Sequence, residues 1–418
     1  MRWPWVWQHY PLKRQDVSCF GREILLPALL LVAGQLGLIY LFSEGGGYAH
    51  AFLKTTQWDS FWYLSIVKNG YQFRGFEAPD NNVAFLPGYP ALVWLVSRIT
   101  GLSPELSLYV TAHGMALLFW VYLLLLLRRW GIPVYGRVLT CITVAVHPMS
   151  VYLYAGYTES LFLAMLLGFF YWGSVGHLLG MAGHGLLMAA TRIVGVPVAA
   201  VALLQPWLAG QSLKTAPWRR LLGVAVLTAA GAIAFLLWCQ VVFQNWRLYF
   251  DLQTYFGIKP DYSKPFQLAT YTIPASVWPR LFSWEQATGD ANWGLSFSRI
   301  FGLPTLVALL GLSGWDALAS WRRWIREWRY RLPYHVSAWM LFYLSVSATA
   351  NLQLRSLNRY CLPVHILMIL MVVHMSQGIR WRHWGVEVAK VIWLLATEVS
   401  LLMHLIIVWR YVQRLWIA

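Results

Sequence analysis

The chain has 418 residues, of which 59% are hydrophobic and only 11% are charged, and its formal net charge is +16. Such an apolar composition excludes a soluble globular protein of this length and predicts a polytopic membrane protein. The basic residues lie in short clusters between apolar stretches, a pattern that favours membrane orientation over nucleic-acid binding.

The chain begins with a basic, tryptophan-rich tail, residues 1–23, which we predict to be cytoplasmic. One integral membrane domain, residues 24–418, follows it. Its apolar stretches have about the length that a helix needs to cross a bilayer, and the helical period within them predicts an all-α fold. The eleven or so predicted membrane spans are residues 24–43, 106–127, 138–155, 159–175, 177–191, 193–208, 221–243, 296–319, 333–350, 360–377 and 386–408.

Five basic clusters determine the predicted orientation of these helices, because positively charged loops face the cytoplasm. The clusters contain Arg2, Lys13, Arg14 and Arg22; Arg128, Arg129 and Arg137; Lys214, Arg219 and Arg220; Arg322, Arg323, Arg326, Arg329 and Arg331; and Arg380 and Arg382. Two large loops, residues 44–105 and 244–296, then lie on the non-cytoplasmic side. Residues 83–100 are apolar enough to cross the membrane, but a crossing there would reverse every later loop. We therefore predict that they form an interfacial helix within the first outer loop.

Polar residues that interrupt the apolar pattern fall at the outer ends of the predicted helices. Charged side chains at membrane depth are costly, and they commonly mark a site or a pathway. The residues are Asp59 in the first outer loop; His147, Tyr157 and Glu159 at one turn; Arg192 at another; and Arg355, Asn358 and Arg359 at a third. The topology predicts that these separate outer turns contribute to one site.

The pair Trp58-Asp59 places a carboxylate among aromatic residues in a chain that has few acids. In one interpretation Asp59 caps a helix, because its oxygens accept backbone N–H bonds. In the other, the positioned carboxylate is a general base that deprotonates an attacking hydroxyl group. The sequence favours the general base.

The other charged residues also have two interpretations. Glu159 either stabilises the start of a helix or contacts a substrate, and Arg192 either snorkels to the interface or binds an anion. Arg355 and Arg359 are four residues apart and would share one face of a helix, where two guanidinium groups suit an anion such as phosphate. His147 precedes a proline that ends its helix, and we predict a buried, hydrogen-bonded histidine there.

Several motifs of soluble enzymes are absent from the sequence. There is no D-x-D, no glycine-rich dinucleotide motif and no Walker loop, so a nucleotide-sugar site is not supported. There is also no H-E-x-x-H, and the four cysteines lie far apart. We therefore predict no metal, no cofactor and no nucleic-acid partner, and a charged donor substrate that arrives through the lipid phase.

Five segments occur in an order and spacing that are typical of one enzyme family. They are WDSFWYLSIVKNGY, AFLPGYPALVWLV, HPMSVYLYAGYTESLF, AATRIVGVP and LNRYCLPV. These segments resemble the PIG-V-like mannosyltransferases, homologues of GPI mannosyltransferase 2 in glycosyltransferase family 76, and the resemblance covers about residues 24–377. Two positions depart from the pattern: His147 stands where Asn or Phe is expected, and His365 where relatives often have Phe.

The resemblance implies a GT-C glycosyltransferase fold with its active site in the outer loops. The acid of the family's Trp-Asp pair falls on Asp59, the expected catalytic base. The Tyr-x-Glu turn falls on Tyr157 and Glu159, and the Arg-Tyr pair on Arg359 and Tyr360. The expected substrate-binding residues are Trp58, Tyr157, Glu159, Arg192, Arg355, Asn358, Arg359 and Tyr360.

The expected function is an inverting transfer of a sugar, mannose in the characterised eukaryotic members, from polyprenyl phosphate to a lipid-linked or glycan acceptor. One alternative is the same fold with a glucose or arabinose-type donor. Another is a transporter or flippase for a lipid-linked substrate, which a sequence without internal repeats supports less. The sequence identifies neither the acceptor nor an accessory membrane subunit. The compact loops favour a bacterial plasma membrane, with the site facing the periplasm or the exterior.

Overall fold

The structure is a computed structural model that describes residues 20–43, 47–78, 80–273, 293–321, 328–376 and 383–415, together with residues 275, 278, 279 and 283. Across these residues the regular structure is entirely helical, with no β-strand. The helices are α1 (Gly21–Phe42), α2 (Gly47–Lys54), α3 (Asp59–Asn69), α4 (Gly88–Thr100), α5 (Pro104–Arg129), α6 (Val134–Ala145), α7 (Glu159–Val175), α8 (Leu178–Thr191), α9 (Gly195–Leu208), α10 (Trp218–Phe243), α11 (Leu248–Tyr255), α12 (Trp293–Arg299), α13 (Gly302–Trp321), α14 (Trp328–Thr349), α15 (Leu357–Tyr360), α16 (Leu362–Ser376) and α17 (His383–Val412).

In the described part of the chain, five helical segments are long and apolar enough to cross a membrane. They are α1, α5, α10, the segment Trp293–Leu318 formed by α12 and α13, and Val391–Val412 within α17. Five shorter helices are also apolar, namely α6, α7, α8, α9 and α16. The predicted all-α fold is confirmed, and the five long helices have the length and composition of membrane spans.

Some sequence-based predictions fall outside the described residues. This applies to most of the tail 1–23, to most of residues 274–292 in the second outer loop, and to part of the basic clusters. The basic residues concerned are Arg2, Lys13, Arg14, Arg322, Arg323, Arg326, Arg380 and Arg382.

The predicted first outer loop contains the three helices α2, α3 and α4. Helix α4 has 13 residues, or about 20 Å at 1.5 Å per residue, which is shorter than the hydrocarbon core of a bilayer at roughly 30 Å. Pro87 precedes it, and Gly101, with a φ of 71°, ends it. It packs against α5 and α8. Helices α6 and α8, with 12 and 14 residues, are about equally short, so the interfacial position of α4 stays a prediction.

Helices α8 and α10 approach each other closely because glycines lie at their contact. A methyl group at Gly231 of α10 would overlap the carbonyl oxygen of Leu186 and lie 2.8 Å from the nitrogen of Ala190. Small residues let helix backbones pack closely where no hydrophobic effect drives them together. Helix α8 also packs on α7, and α7 packs on α5. This packing holds the end of α8 beside the start of α7.

Basic residues that the sequence places in the cytoplasm lie together at one end of the bundle. Arg137 Nη1 lies 3.0 Å from Glu23 Oε2 at the start of α1. Arg129, at the end of α5, donates a hydrogen bond to the carbonyl oxygen of Ser174 at the end of α7. Since α7 begins at Glu159, the start of α7 lies at the opposite end of the bundle.

Candidate functional site

Four charged side chains from four separate segments meet at the end of the bundle opposite Arg129 and Arg137. Asp59 is the first residue of α3, Glu159 is the first residue of α7, Arg192 follows α8, and Arg359 lies in α15. Arg359 Nη2 lies 2.8 Å from Asp59 Oδ2, and Arg359 Nε lies 3.2 Å from Glu159 Oε1. Arg192 Nη1 lies 2.8 Å from the same Glu159 oxygen. The four residues, which we call the charge cluster, alternate in sign from Asp59 to Arg192.

The charge cluster is buried to different depths. The Glu159 side chain is 1% exposed, those of Arg359 and Arg192 are 11% and 16% exposed, and that of Asp59 is 28% exposed. A buried carboxylate is tolerated only when opposite charges and hydrogen bonds compensate it, and two guanidinium groups compensate Glu159. Asp59 is therefore the acid of the cluster that a substrate can reach.

Tyrosine rings surround the two guanidinium groups. The Tyr360 ring centroid lies 5.0 Å from the guanidinium carbon of Arg192 and 5.0 Å from that of Arg359. Tyr157 and Tyr152 lie 5.2 and 5.5 Å from Arg359 in the same way, within the range of cation–π attraction. Burial alone lowers the pKa of Arg359, but the charges of Asp59 and Glu159 more than offset this and raise the pKa well above its ordinary value.

The segment before α3 fixes the position of Asp59. Trp58 precedes the helix with a φ of 45°, a backbone conformation that is costly for a residue with a side chain and that occurs preferentially at functional sites. Gln57 anchors the segment: its carbonyl oxygen accepts a hydrogen bond from Tyr157 Oη at 3.0 Å, and its Nε2 donates to the Tyr411 carbonyl oxygen at 2.5 Å. The Trp58 ring packs edge-on against Tyr411. Asp59 is therefore the first residue inside the helix, and the capping position belongs to Trp58.

The turn that carries Arg359 has an unusual backbone. Three residues that are not glycine have a positive φ: Gln353 at 57°, Leu354 at 62° and Ser356 at 64°. Ser298 Oγ donates a hydrogen bond to the Leu354 carbonyl oxygen at 2.7 Å. Asn358 is fully buried; its Oδ1 accepts a hydrogen bond from the Arg359 backbone nitrogen and lies 3.2 Å from Ser298 Oγ. The structure thus places Asn358 inside the turn, where it supports the backbone of Arg359.

The expected shared helix face of Arg355 and Arg359 is wrong. Helix α15 begins only at Leu357, and the positive φ of Leu354 and Ser356 breaks the helical path on both sides of Arg355. The Arg355 residue is exposed, whereas Arg359 is buried. The second guanidinium beside Arg359 is that of Arg192, which shares Glu159 with it.

The two positions that depart from the family pattern contact each other. His147 Nε2 lies 3.0 Å from His365 Nδ1, and His365 Nε2 lies 2.8 Å from Thr305 Oγ1. His147 Nδ1 also accepts a hydrogen bond from the Met149 backbone nitrogen. His147 is hydrogen-bonded, as the sequence predicts, and it is half-buried. Both histidines are thus accounted for by structural contacts.

Sequence reasoning missed two residues of the site, Tyr152 and Tyr411. Tyr152 faces the guanidinium of Arg359 and stacks edge-on against Tyr157. Tyr411 lies near the end of α17 and holds the Trp58 segment. Tyr152 lies within the third segment, HPMSVYLYAGYTESLF, so its place in the resemblance could have identified it. Tyr411 lies in an apolar helix outside the resemblance, where the sequence offers no such indication. Among the described residues, no group of three or more His, Cys, Asp or Glu side chains is arranged to hold a metal ion.

Comparison with known proteins does not extend these observations: no family model, curated protein or solved structure matches the chain. The resemblance therefore depends on the five segments alone. Four of them contribute one residue each to the charge cluster. The remaining segment contains Gly88, where a methyl group would lie 2.7 Å from Thr191 Oγ1, next to Arg192. All five segments thus lie at the same end of the bundle.

Proposed function

We propose that this chain is a membrane glycosyltransferase of the PIG-V-like type. It transfers a sugar, for which we propose mannose, from a polyprenyl phosphate to a lipid-linked or glycan acceptor. The observation that carries the proposal is the contact between the partly exposed carboxylate of Asp59 and the guanidinium of Arg359, with Arg192 beside it. This arrangement combines a base for a hydroxyl group with two counter-charges for a phosphate.

Each residue of the cluster has a role in the proposed reaction. Asp59 accepts the proton of the acceptor hydroxyl, whose oxygen attacks the anomeric carbon of the sugar. The bond between that carbon and the phosphate oxygen breaks, and the electron pair leaves with the polyprenyl phosphate. Arg359 and Arg192 stabilise the negative charge that develops on this phosphate. A single displacement of this kind inverts the configuration of the sugar.

The proposal includes a topology of eleven membrane-spanning helices in a GT-C fold. Each of the eleven predicted stretches contains a helix, although some of these helices are shorter than a bilayer-spanning helix and α6 ends at Ala145, inside the predicted stretch 138–155. The charge cluster lies at the end of the bundle away from Arg129 and Arg137. The positive-inside rule gives that end to the non-cytoplasmic side, which is the periplasm or exterior if the membrane is a bacterial plasma membrane.

A transporter for a lipid-linked substrate is the competing function. Buried arginines and glutamates also occur along transport pathways. In this chain the four residues of the charge cluster lie at one end of the bundle, and they pair with each other. A transport pathway has to cross the whole membrane, whereas a reaction site can lie at one end of the bundle. The position of the charge cluster therefore favours the enzyme.

The test is sugar transfer by the purified full chain in detergent, with polyprenyl-phosphate mannose as donor and a membrane glycolipid extract as acceptor pool. Detergent removes the sealed compartment that transport requires, so only transfer is measured. We expect Asp59→Asn to abolish transfer, because the amide cannot accept the hydroxyl proton. Parallel reactions with polyprenyl-phosphate glucose and with an arabinose-type donor identify the sugar.

The matched control is Asp80→Asn. Asp80 lies in the same outer loop, and its 42% exposed side chain lies 3.3 Å from Arg74. This variant should keep wild-type transfer. Near-normal turnover by a folded Asp59→Asn protein would contradict the role of Asp59 as the base. No transfer by the wild type from any of the three donors would contradict the enzyme itself.

A further inference from the structure

Arg359 joins two acids of very different exposure. Glu159 is 1% exposed and shares its Oε1 with Arg192, whereas Asp59 is 28% exposed. A buried pair that is tied to a third charge is hard to break, while a pair that water reaches is weak. The Asp59 contact is therefore the one that a ligand can replace.

A phosphate group is well suited to replace Asp59 as the partner of Arg359. The donor phosphate is a diester with one negative charge and two non-bridging oxygens, and these two oxygens can pair with a guanidinium through two parallel hydrogen bonds. Arg359 Nη2, the nitrogen nearest to Asp59 Oδ2 at 2.8 Å, is on the more exposed side of the guanidinium, because Nε faces Glu159. A phosphate that approaches Arg359 from this side meets the Asp59 carboxylate, and the two negative charges repel each other.

We propose that the phosphate of the lipid-linked donor competes with Asp59 for Arg359, and that this exchange releases the carboxylate to act on the acceptor hydroxyl. This inference rests on the proposed function, because its ligand is the donor of that reaction. It makes Asp59 a regulated base: Arg359 holds the carboxylate until a phosphate takes its place. Glu159 and Arg192 remain paired throughout and keep Arg359 in position.

The exchange predicts that Asp59 weakens phosphate binding. Removing its charge by Asp59→Asn should tighten binding of a polyprenyl phosphate by up to about fivefold, the factor that a partly exposed ion pair is worth. Arg359→Gln should weaken the same binding by at least about tenfold, because the guanidinium is lost. Asp80→Asn, in the same loop, should leave it unchanged.

The measurement uses the purified full chain in detergent and titrates three probes: a polyprenyl phosphate, the corresponding polyprenol without phosphate, and inorganic phosphate. Binding of the polyprenol measures the contribution of the lipid tail to the affinity, and binding of inorganic phosphate measures the contribution of the anion. Only phosphate-bearing probes should bind more tightly to Asp59→Asn than to the wild type. Asp59→Ser, which also removes the charge, replaces Asp59→Asn if the latter does not fold.

Two results would overturn different claims. Equal or weaker binding of polyprenyl phosphate by the folded charge-removing variant would show that Asp59 does not compete for Arg359, and the inference would fail while the proposed function stands. If wild-type protein binds polyprenol and polyprenyl phosphate equally, the arginines do not recognise the phosphate, and the proposed function fails with it.

Discussion

Glu159 is the residue on which the charge cluster depends, because one of its oxygens compensates two guanidinium groups. Its side chain is 1% exposed, and its charged partners are Arg192 and Arg359. The carboxylate therefore acts on a substrate only through the arginines that it positions. Without it, two largely buried positive charges would face each other, compensated by contacts with aromatic rings and, for Arg359, by the ion pair with Asp59.

We expect Glu159→Gln to lower the free energy of unfolding by about 3–5 kcal/mol, the usual effect of removing one partner of a buried ion pair. Thermal or denaturant unfolding of the detergent-purified protein measures this change. The control is Glu105→Gln, which removes a 30% exposed acid from its ion pair with Lys68. Its effect should stay below about 1 kcal/mol, as for exposed pairs. Equal losses in the two variants would show that Glu159 does not compensate the arginines.

Scarcity of charge explains how far sequence predicts this site. Acids are rare in this chain, with only 16 among 418 residues, and Arg359 lies outside the basic clusters, so Asp59, Glu159 and Arg359 are recognisable from the amino-acid sequence alone. Their pairing is not, because it depends on contacts between distant segments. Arg355 and Arg359 do not share a helix face because neighbouring residues that are not glycine have positive φ values, and the residue types at these positions do not predict such a backbone.

At the scale of secondary structure, close helix packing determines where Arg192 lies. Helix α4 reaches the last turn of α8 because Gly88 has no side chain: a methyl group there would lie 2.8 Å from the carbonyl group of Ala190. Helix α10 packs against the same helix through Gly231. Charge topology predicts an interfacial position for α4, but it does not predict the contact with α8, because a glycine acquires this role only from its neighbour.

Gly231→Ala tests the packing of α8 on α10. The added methyl group overlaps the backbone oxygen of Leu186, which cannot rotate away, so the helices must separate. We expect the free energy of unfolding to fall by about 1–3 kcal/mol, as in other overpacked contacts. Thermal unfolding in detergent measures the loss, and transfer activity should fall with it because α8 carries Arg192.

Gly223→Ala provides the control on the same helix, since a methyl group at Gly223 has no neighbour within 4 Å. Alanine is the better helix former, so this variant should be as stable as the wild type or slightly more stable. If Gly231→Ala is equally stable, the close approach of the two helices is not needed for the fold.

At the scale of the whole molecule, the two ends of the bundle differ in chemistry. One end holds the charge cluster, with its partly exposed acid and surrounding tyrosines. The other holds structural pairs, such as Arg331 with Asp316 at 2.6 Å and Arg137 with Glu23 at 3.0 Å. The distribution of Lys and Arg along the sequence predicts that these ends face opposite sides of a membrane. This prediction requires no knowledge of the tertiary structure. The individual pairs again depend on the fold.

The proposed topology is tested by cysteine labelling in spheroplasts, with the native cysteines replaced. A membrane-impermeant maleimide should label Asp80→Cys and Gln267→Cys, which the proposed topology places in the two outer loops. Gln211→Cys, an exposed position between α9 and α10, should react only after permeabilisation, because Lys214, Arg219 and Arg220 hold its loop in the cytoplasm. If α4 crossed the membrane, Asp80→Cys would still be labelled, but Gln211→Cys would become reactive and Gln267→Cys would be protected. The last two positions therefore decide whether α4 is interfacial and on which side α10 ends.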